Sequence, residues 1–219
     1  MTDLKSSPWI DFNFYLITDR HQTRDRELLE VVEQALKGGV RAVQVREKDL
    51  SSRELYEISY ELRKLTARHD ARLFINDRAD IALAVDADGV HLGEKGLPVH
   101  RARKVLGEKK LIGVSCHNQI SAITAQEKGA DFITFGPVYY TPSKASYGEP
   151  VGLERLEEVT ALLQIPVFAL GGINSGNAHE VIAGGASGIA AVSAILKADN
   201  PREAAAQLIA LLPPIEDEP

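Results

Sequence analysis

The chain has 219 residues, with 25 Lys and Arg against 31 Asp and Glu for a formal charge of −6, and 44% of its residues are apolar. That apolar share supports a core and excludes disorder as the main state, while an acidic balance with no Lys/Arg block argues against a nucleic-acid partner. A single cysteine, Cys116, excludes a disulfide scaffold and a thiolate metal site; Met1 to Ile10 carries no long apolar run, so neither a signal peptide nor a membrane span is expected and the location read from the sequence is cytoplasmic.

From Phe14 onward, short β-branched or apolar runs alternate with stretches of helical period. Strands are predicted near Phe14–Thr18, Ala42–Val45, Leu73–Ile75, Gly89–Leu92, Leu111–Val114, Phe132–Phe135, Val167–Leu170 and Gly188–Val192. Several are apolar almost throughout, as strands buried on both faces of a parallel sheet are. Between the first two, Glu27 to Lys37 places Leu28, Val31, Val32, Ala35 and Leu36 on one helical face. Ser51 is the predicted cap of the next helix, with Glu54 completing a capping box. That helix is expected to run to about His69 with Leu55, Ile58, Leu62 and Leu65 inward. Gly38-Gly39, Gly129 and Gly184-Gly185 stand where helices stop. Tyr139 to Val151 fits neither pattern, and a loop of that length inside a compact domain is usually functional.

Eight strands alternating with helices, undivided by any linker, predict a single-domain α/β fold, the (β/α)8 TIM barrel, over residues 14–212. Residues 1–13 are then an N-terminal extension and 213–219 an acidic tail expected to be disordered. A doubly wound open sheet is the alternative fold.

In a barrel the chemistry sits at the C-terminal ends of the strands. In chain order those ends carry Thr18-Asp19-Arg20, Gln44 to Lys48, Asn76-Asp77-Arg78, His91 to Glu94, Ser115 to Asn118, Gly136-Pro137 with the long loop, Gly171 to Asn174, and Ser193. Each has a bland reading: Asp77, Ser115 or Asn118 as a helix cap, the glycine pair as a tight turn, Arg46 and Lys48 as solvated charges. Taken together they suggest anion binding. Arg46 and Lys48 are two apart, so on an extended strand end they project with Gln44 to one side. The two glycines after the seventh strand let backbone N–H groups approach an anion, and a helix starting near Ser193 offers its N-terminus. Ser115 and Lys144 are further donors. Asp77 beside such groups calls for a divalent cation.

The segments Tyr15-Leu16-Ile17-Thr18-Asp19, Gln44-Val45-Arg46-Glu47-Lys48, Ile75-Asn76-Asp77-Arg78, Ala87 to Gly93, Gly113 to His117, Gly136 to Tyr139, Thr141 to Lys144 and Leu170 to Ile173 together resemble the thiamine phosphate synthase family and its close relative, the thiazole tautomerase. The resemblance covers roughly residues 14 to 212. It implies a barrel that joins 4-amino-2-methyl-5-hydroxymethylpyrimidine pyrophosphate to a thiazole phosphate and expels pyrophosphate. It further implies that Arg46, Lys48, Asn76, Ser115 and Lys144 hold the pyrophosphate and that Gln44 contacts the pyrimidine. Thr141 and Ser143, with the backbone at Gly172, Val192 and Ser193, would hold the thiazole phosphate. Asp77 would bind Mg²⁺. The partners implied are these small phosphorylated molecules, with no nucleic acid or membrane; a homodimer is compatible with the family.

The chain departs from the pattern after His91-Leu92-Gly93. The family's second metal-binding aspartate falls on Gly96, which leaves Glu94 as the candidate second carboxylate. The lid reads Thr141-Pro142-Ser143-Lys144, where serine preserves the usual hydroxyl. The missing aspartate brings forward the metal-independent tautomerase, with His117 as acid and base. A sensor that binds without turnover is a third reading.

Overall fold

Eight short parallel strands close on one another in chain order in a computed structural model that describes residues 10–142 and 149–215. They are β1 (Phe14–Ile17), β2 (Ala42–Val45), β3 (Arg72–Asn76), β4 (Gly89–Leu92), β5 (Leu111–Cys116), β6 (Phe132–Phe135), β7 (Val167–Leu170) and β8 (Gly188–Ala191). The ring closes where Tyr15 of β1 pairs with Ala190 of β8, which removes the open-sheet alternative. Helices α1 (Leu28–Lys37), α2 (Ser52–Ala67), α3 (Ala79–Ala84), α4 (Val99–Leu106), α5 (Gln119–Glu127), α6 (Gly152–Leu162) and α7 (Ala178–Ala183) alternate with the strands, and α8 (Ser193–Leu196) and α9 (Pro201–Ile209) follow β8.

Local chemistry explains the element ends. The Ser51 hydroxyl accepts the Glu54 N–H while the Glu54 carboxylate accepts the Ser51 N–H, so the predicted capping box starts α2. That helix stops at Ala67, two residues short of the expected end, with Arg68 as its C-cap. Gly39, with φ of 106°, turns the chain out of α1 toward β2, a left-handed conformation that glycine adopts without steric cost. Strand β5 runs two residues past its predicted end, to Cys116, because Ser115 and Cys116 pair with Thr134 and Phe135 of β6.

Side chains alternate across each strand and build two cores. The outer one lies between sheet and helices and includes Leu16, Val32, Leu62, Val90 and Ile133. The inner one fills the barrel with Phe12, Tyr15, Phe74, Phe132 and Phe168. Phe12 stands just before β1 and packs its ring against those of Tyr15, Phe74, Phe132 and Phe168 at centroid distances of 5.1–5.7 Å, sealing the N-terminal end. That end also holds an ion network in which Asp88 meets Arg63 and Arg72, and Arg72 meets Asp11 at 2.7 Å. The opposite end, where the strands point, is left for other chemistry.

Candidate active site

The β2–α2 turn is fastened from below before it presents any cation. The Thr18 hydroxyl accepts the Arg46 N–H at 3.0 Å and donates to Glu47 at 2.6 Å. Glu47 is buried, and it also accepts the Arg20 N–H and guanidinium at 3.1–3.2 Å. Arg20 continues as a two-pronged pair to Asp49 at 2.6–2.7 Å, which draws the Asp49 carboxyl well below the usual carboxylate range. The clamp leaves Arg46 half-buried and Lys48 exposed. Among the described residues neither side chain makes an ion pair. The expectation that Gln44, Arg46 and Lys48 share one extended face needs correction at Lys48. Strand pairing ends at Val45, and Lys48 is placed by a turn rather than by strand alternation.

Asn76 ends β3 and Asp77 follows with φ of 59°, a left-handed conformation uncommon outside glycine and tolerated by aspartate. Asp77 does not cap α3, whose N-cap Arg78 makes no side-chain cap bond. Its carboxylate instead accepts the Gly93 N–H at 2.7 Å and the Asn76 amide at 2.8 Å, tying β3 to the β4–α4 loop. Gly96 of that loop lies against it: a Cβ there would stand 2.4 Å from the Asp77 Oδ1. Glu94 is exposed on the same loop.

Inside the mouth a polar layer spans five strands. Gln44 donates to the Tyr15 hydroxyl at 3.2 Å, and that hydroxyl lies 3.4 Å from His91 Nδ1. His91 Nε2 faces Ser115 Oγ at 3.0 Å and Thr134 Oγ1 at 3.3 Å. Burial, and then the charge of Arg46, pull the His91 pKa down to about 3, so the ring is neutral. Ser115 is therefore no helix cap; Asn118 caps α5. His117, half-buried, sets its Nδ1 against the Gly136 carbonyl. Cys116 is buried, and burial pushes its thiol up to about 12, so it is a packing residue.

Gly172 after β7 has φ of 69°, and a Cβ on it would stand 2.7 Å from the Tyr139 Cβ. The β7 turn thus packs directly on the loop after β6, where the Tyr139 hydroxyl donates to Glu180 at 2.6 Å. Val192 starts α8 without a side-chain cap, Ser193 is exposed, and Thr141 is half-buried on the β6 side. Ser143 and Lys144 lie outside the described residues, as do 1–9 of the extension and 216–219 of the tail.

A family model described as thiamine monophosphate synthase matches residues 14–195. The chain belongs to the thiamine monophosphate synthase family. A protein of Geobacter sulfurreducens is 60% identical over 205 residues, which is 94% of this chain and 96% of its own. The thiamine-phosphate synthase of Clostridium novyi is 49% identical, covering 87% of this chain and 94% of its own. A thiamine phosphate pyrophosphorylase structure from Pyrococcus furiosus superposes with a TM-score of 0.84 at 41% identity, covering 92% of this chain and 95% of that one. A 3-hexulose-6-phosphate synthase at 21% identity and TM-score 0.68 shares the fold.

Magnesium is what the family resemblance implies, with Asp77 as the residue that would hold it. No cluster of three His, Cys, Asp or Glu able to enclose a metal exists among the described residues. Mg²⁺ in phosphate sites takes one or two carboxylates, and waters and substrate oxygens complete its shell. Asp77 fits that donor set when a phosphorylated ligand is present. The family motifs also contain Tyr15 and Glu47, and β6 carries Thr134; the sequence reading gave none of the three a site role. For Tyr15 and Thr134 the signal was available: a polar group at an inward position of an otherwise apolar strand, as in Phe14-Tyr15-Leu16-Ile17 or Phe132-Ile133-Thr134-Phe135, has to find a partner inside the barrel.

Proposed function

We propose that this barrel couples 4-amino-2-methyl-5-hydroxymethylpyrimidine pyrophosphate to a thiazole phosphate and releases pyrophosphate. Arg46 is the observation that carries the reading. Its guanidinium is half-buried at the mouth, has no carboxylate partner among the described residues, and acts electrostatically on His91 within the barrel. A cation withdrawn from water without a counter-charge is costly, and a phosphorylated ligand supplies that charge. The names of the 42–60% identical relatives favour the synthase over the tautomerase.

In this reading Arg46, Lys48, Asn76, Ser115 and Lys144 hold the pyrophosphate, and Gln44 meets the pyrimidine. The methylene C–O bond breaks with its electron pair going to the bridging oxygen. In this reading the cations and the hydroxyl stabilise that charge as it grows. The thiazole nitrogen then donates its lone pair to the pyrimidinylmethyl cation, closing the new C–N bond. Thr141, Ser143 and the backbone at Gly172, Val192 and Ser193 hold the thiazole phosphate on the far side, supported by the lock between the β6 and β7 loops. Mg²⁺, held by Asp77 with Glu94 as the nearby second carboxylate, would neutralise charge on the leaving group. In this reading residues 14–212 form a single catalytic domain that works in the cytoplasm.

Purified protein given both phosphorylated substrates and Mg²⁺ is expected to form thiamine phosphate and pyrophosphate in equal amounts. Conversion of a thiazole tautomer with no thiamine phosphate would overturn the assignment. Arg46→Gln should lower kcat/KM by about 10²–10³-fold, the usual loss when one preorganised charge contact to a transition state is removed.

A further inference from the structure

A buried chain of hydrogen-bonding groups runs from Gln44 to Ser115, and its direction is constrained. The Gln44 amide nitrogen can only donate, and it meets the Tyr15 hydroxyl at 3.2 Å. That hydroxyl has one proton to pass on, and the next group is His91 Nδ1 at 3.4 Å. A nitrogen that accepts there carries no proton, so in a neutral ring the proton is on Nε2. Nε2 faces two oxygens, Ser115 Oγ at 3.0 Å and Thr134 Oγ1 at 3.3 Å, with serine the nearer. Ser115 is half-buried at the mouth, whereas Thr134 is 1% exposed.

The ring has no room to turn away. It packs on Tyr15 and Phe132 at 5.5 and 5.7 Å between centroids. Gly113 lies alongside, where an added Cβ would stand 2.5 Å from His91 Nδ1 and 2.4 Å from Phe132 Cζ. The alternative hydrogen pattern either turns the Gln44 carbonyl to Tyr15 or leaves the Tyr15 proton buried without an acceptor. His91 would then carry its proton on Nδ1, and Ser115 and Thr134 would compete to donate inward. A Ser115 hydroxyl committed inward would offer only lone pairs to an anion beside Arg46.

We propose that His91 is a positioning residue whose Nε2–H, set by Gln44 through Tyr15, donates to Ser115 and leaves the Ser115 proton directed into the mouth. Ser115 thereby becomes a donor for a phosphate oxygen; this consequence rests on the synthase reading above, while the tautomer does not.

Long-range ¹H–¹⁵N correlation on the full chain labelled at histidine reads the tautomer directly, with His91 assigned by its loss in His91→Gln or from the backbone if that variant does not fold. A protonated Nε2 and a bare Nδ1 are expected; the reverse overturns the proposal. Gln44→Glu replaces the donor by an acceptor and is expected to move the proton to Nδ1, and an unchanged tautomer would break the link to Gln44. In kinetics, Ser115→Ala is expected to lower kcat/KM about tenfold in the parent, the scale of one hydrogen bond, and under about threefold in Tyr15→Phe. Equal losses in the two backgrounds would overturn the coupling. Absence of thiamine phosphate with the expected tautomer present would remove the synthase reading and leave the relay standing.

Discussion

His91 shows how a single side chain takes its charge state from its position. Enclosed by Tyr15, Phe132 and the Arg46 charge, it has a pKa of about 3 against an ordinary 6.5. The unfolded chain therefore takes up a proton as pH falls through about 6.5, while the folded chain does not until about 3. The stability tied to the neutral ring is fully present above pH 6.5 and is lost as the pH falls toward 3. The melting temperature of the parent is expected to drop more steeply between pH 6.5 and 4 than that of His91→Asn, whatever the offset between them. Parallel curves in a thermal scan series would refute the assignment. Glu47 owes its place to hydrogen bonds. It is buried because Thr18 and Arg20 supply donors for it, and its role is to hold the turn that carries Arg46.

Among the elements, the β4–α4 loop distinguishes this member. Gly93 gives its N–H to Asp77, and Gly96 packs directly against the same carboxylate. An added Cβ would meet the far end of the Asp77 side chain and, at 3.0 Å, the backbone oxygen of Gly93, so Asp77 has to rotate and the Gly93 peptide has to give by a few tenths of an ångström. Gly96→Asp is expected to fold and to place a second carboxylate beside the first, which strengthens a divalent-cation site. The Mg²⁺ concentration giving half-maximal activity should fall several-fold in a metal titration. An unaltered Mg²⁺ dependence would remove Asp77 from the role of metal ligand. The loops after β6 and β7 act as a pair: Gly172 is pressed on Tyr139, and Tyr139 is anchored on Glu180.

At the scale of the whole molecule, the two ends of the barrel do different work. The N-terminal end carries Phe12, the Asp88 ion network and tight aromatic packing, and the C-terminal end carries the free cations, Asp77 and the polar layer. Phe12→Ala removes a ring that touches four others and should cost roughly 3–5 kcal/mol of stability, the usual range for a buried aromatic truncated to alanine. Denaturant titration should register that loss, while kcat/KM measured below the melting transition should stay near the parent value. A comparable loss of activity in the folded variant would show that the two ends are coupled.

The order of strands and helices, the capping box at Ser51 and the turn glycines are written in local pattern. Each depends on neighbours a few residues apart, so the sequence alone predicted the barrel. The acidic charge of −6 said nothing of the mouth, where Arg46 and Lys48 gather against the average. Polar groups in long-range contact were decided by closure. Tyr15 and His91 are 76 residues apart, and Thr134 and His91 are 43 apart, and only the ring of strands brings them within hydrogen-bonding distance. The burial of Glu47 and the way Asp77 faces Gly93 were decided by tertiary contacts for the same reason: each carboxylate had to find its donors on a loop distant in the chain.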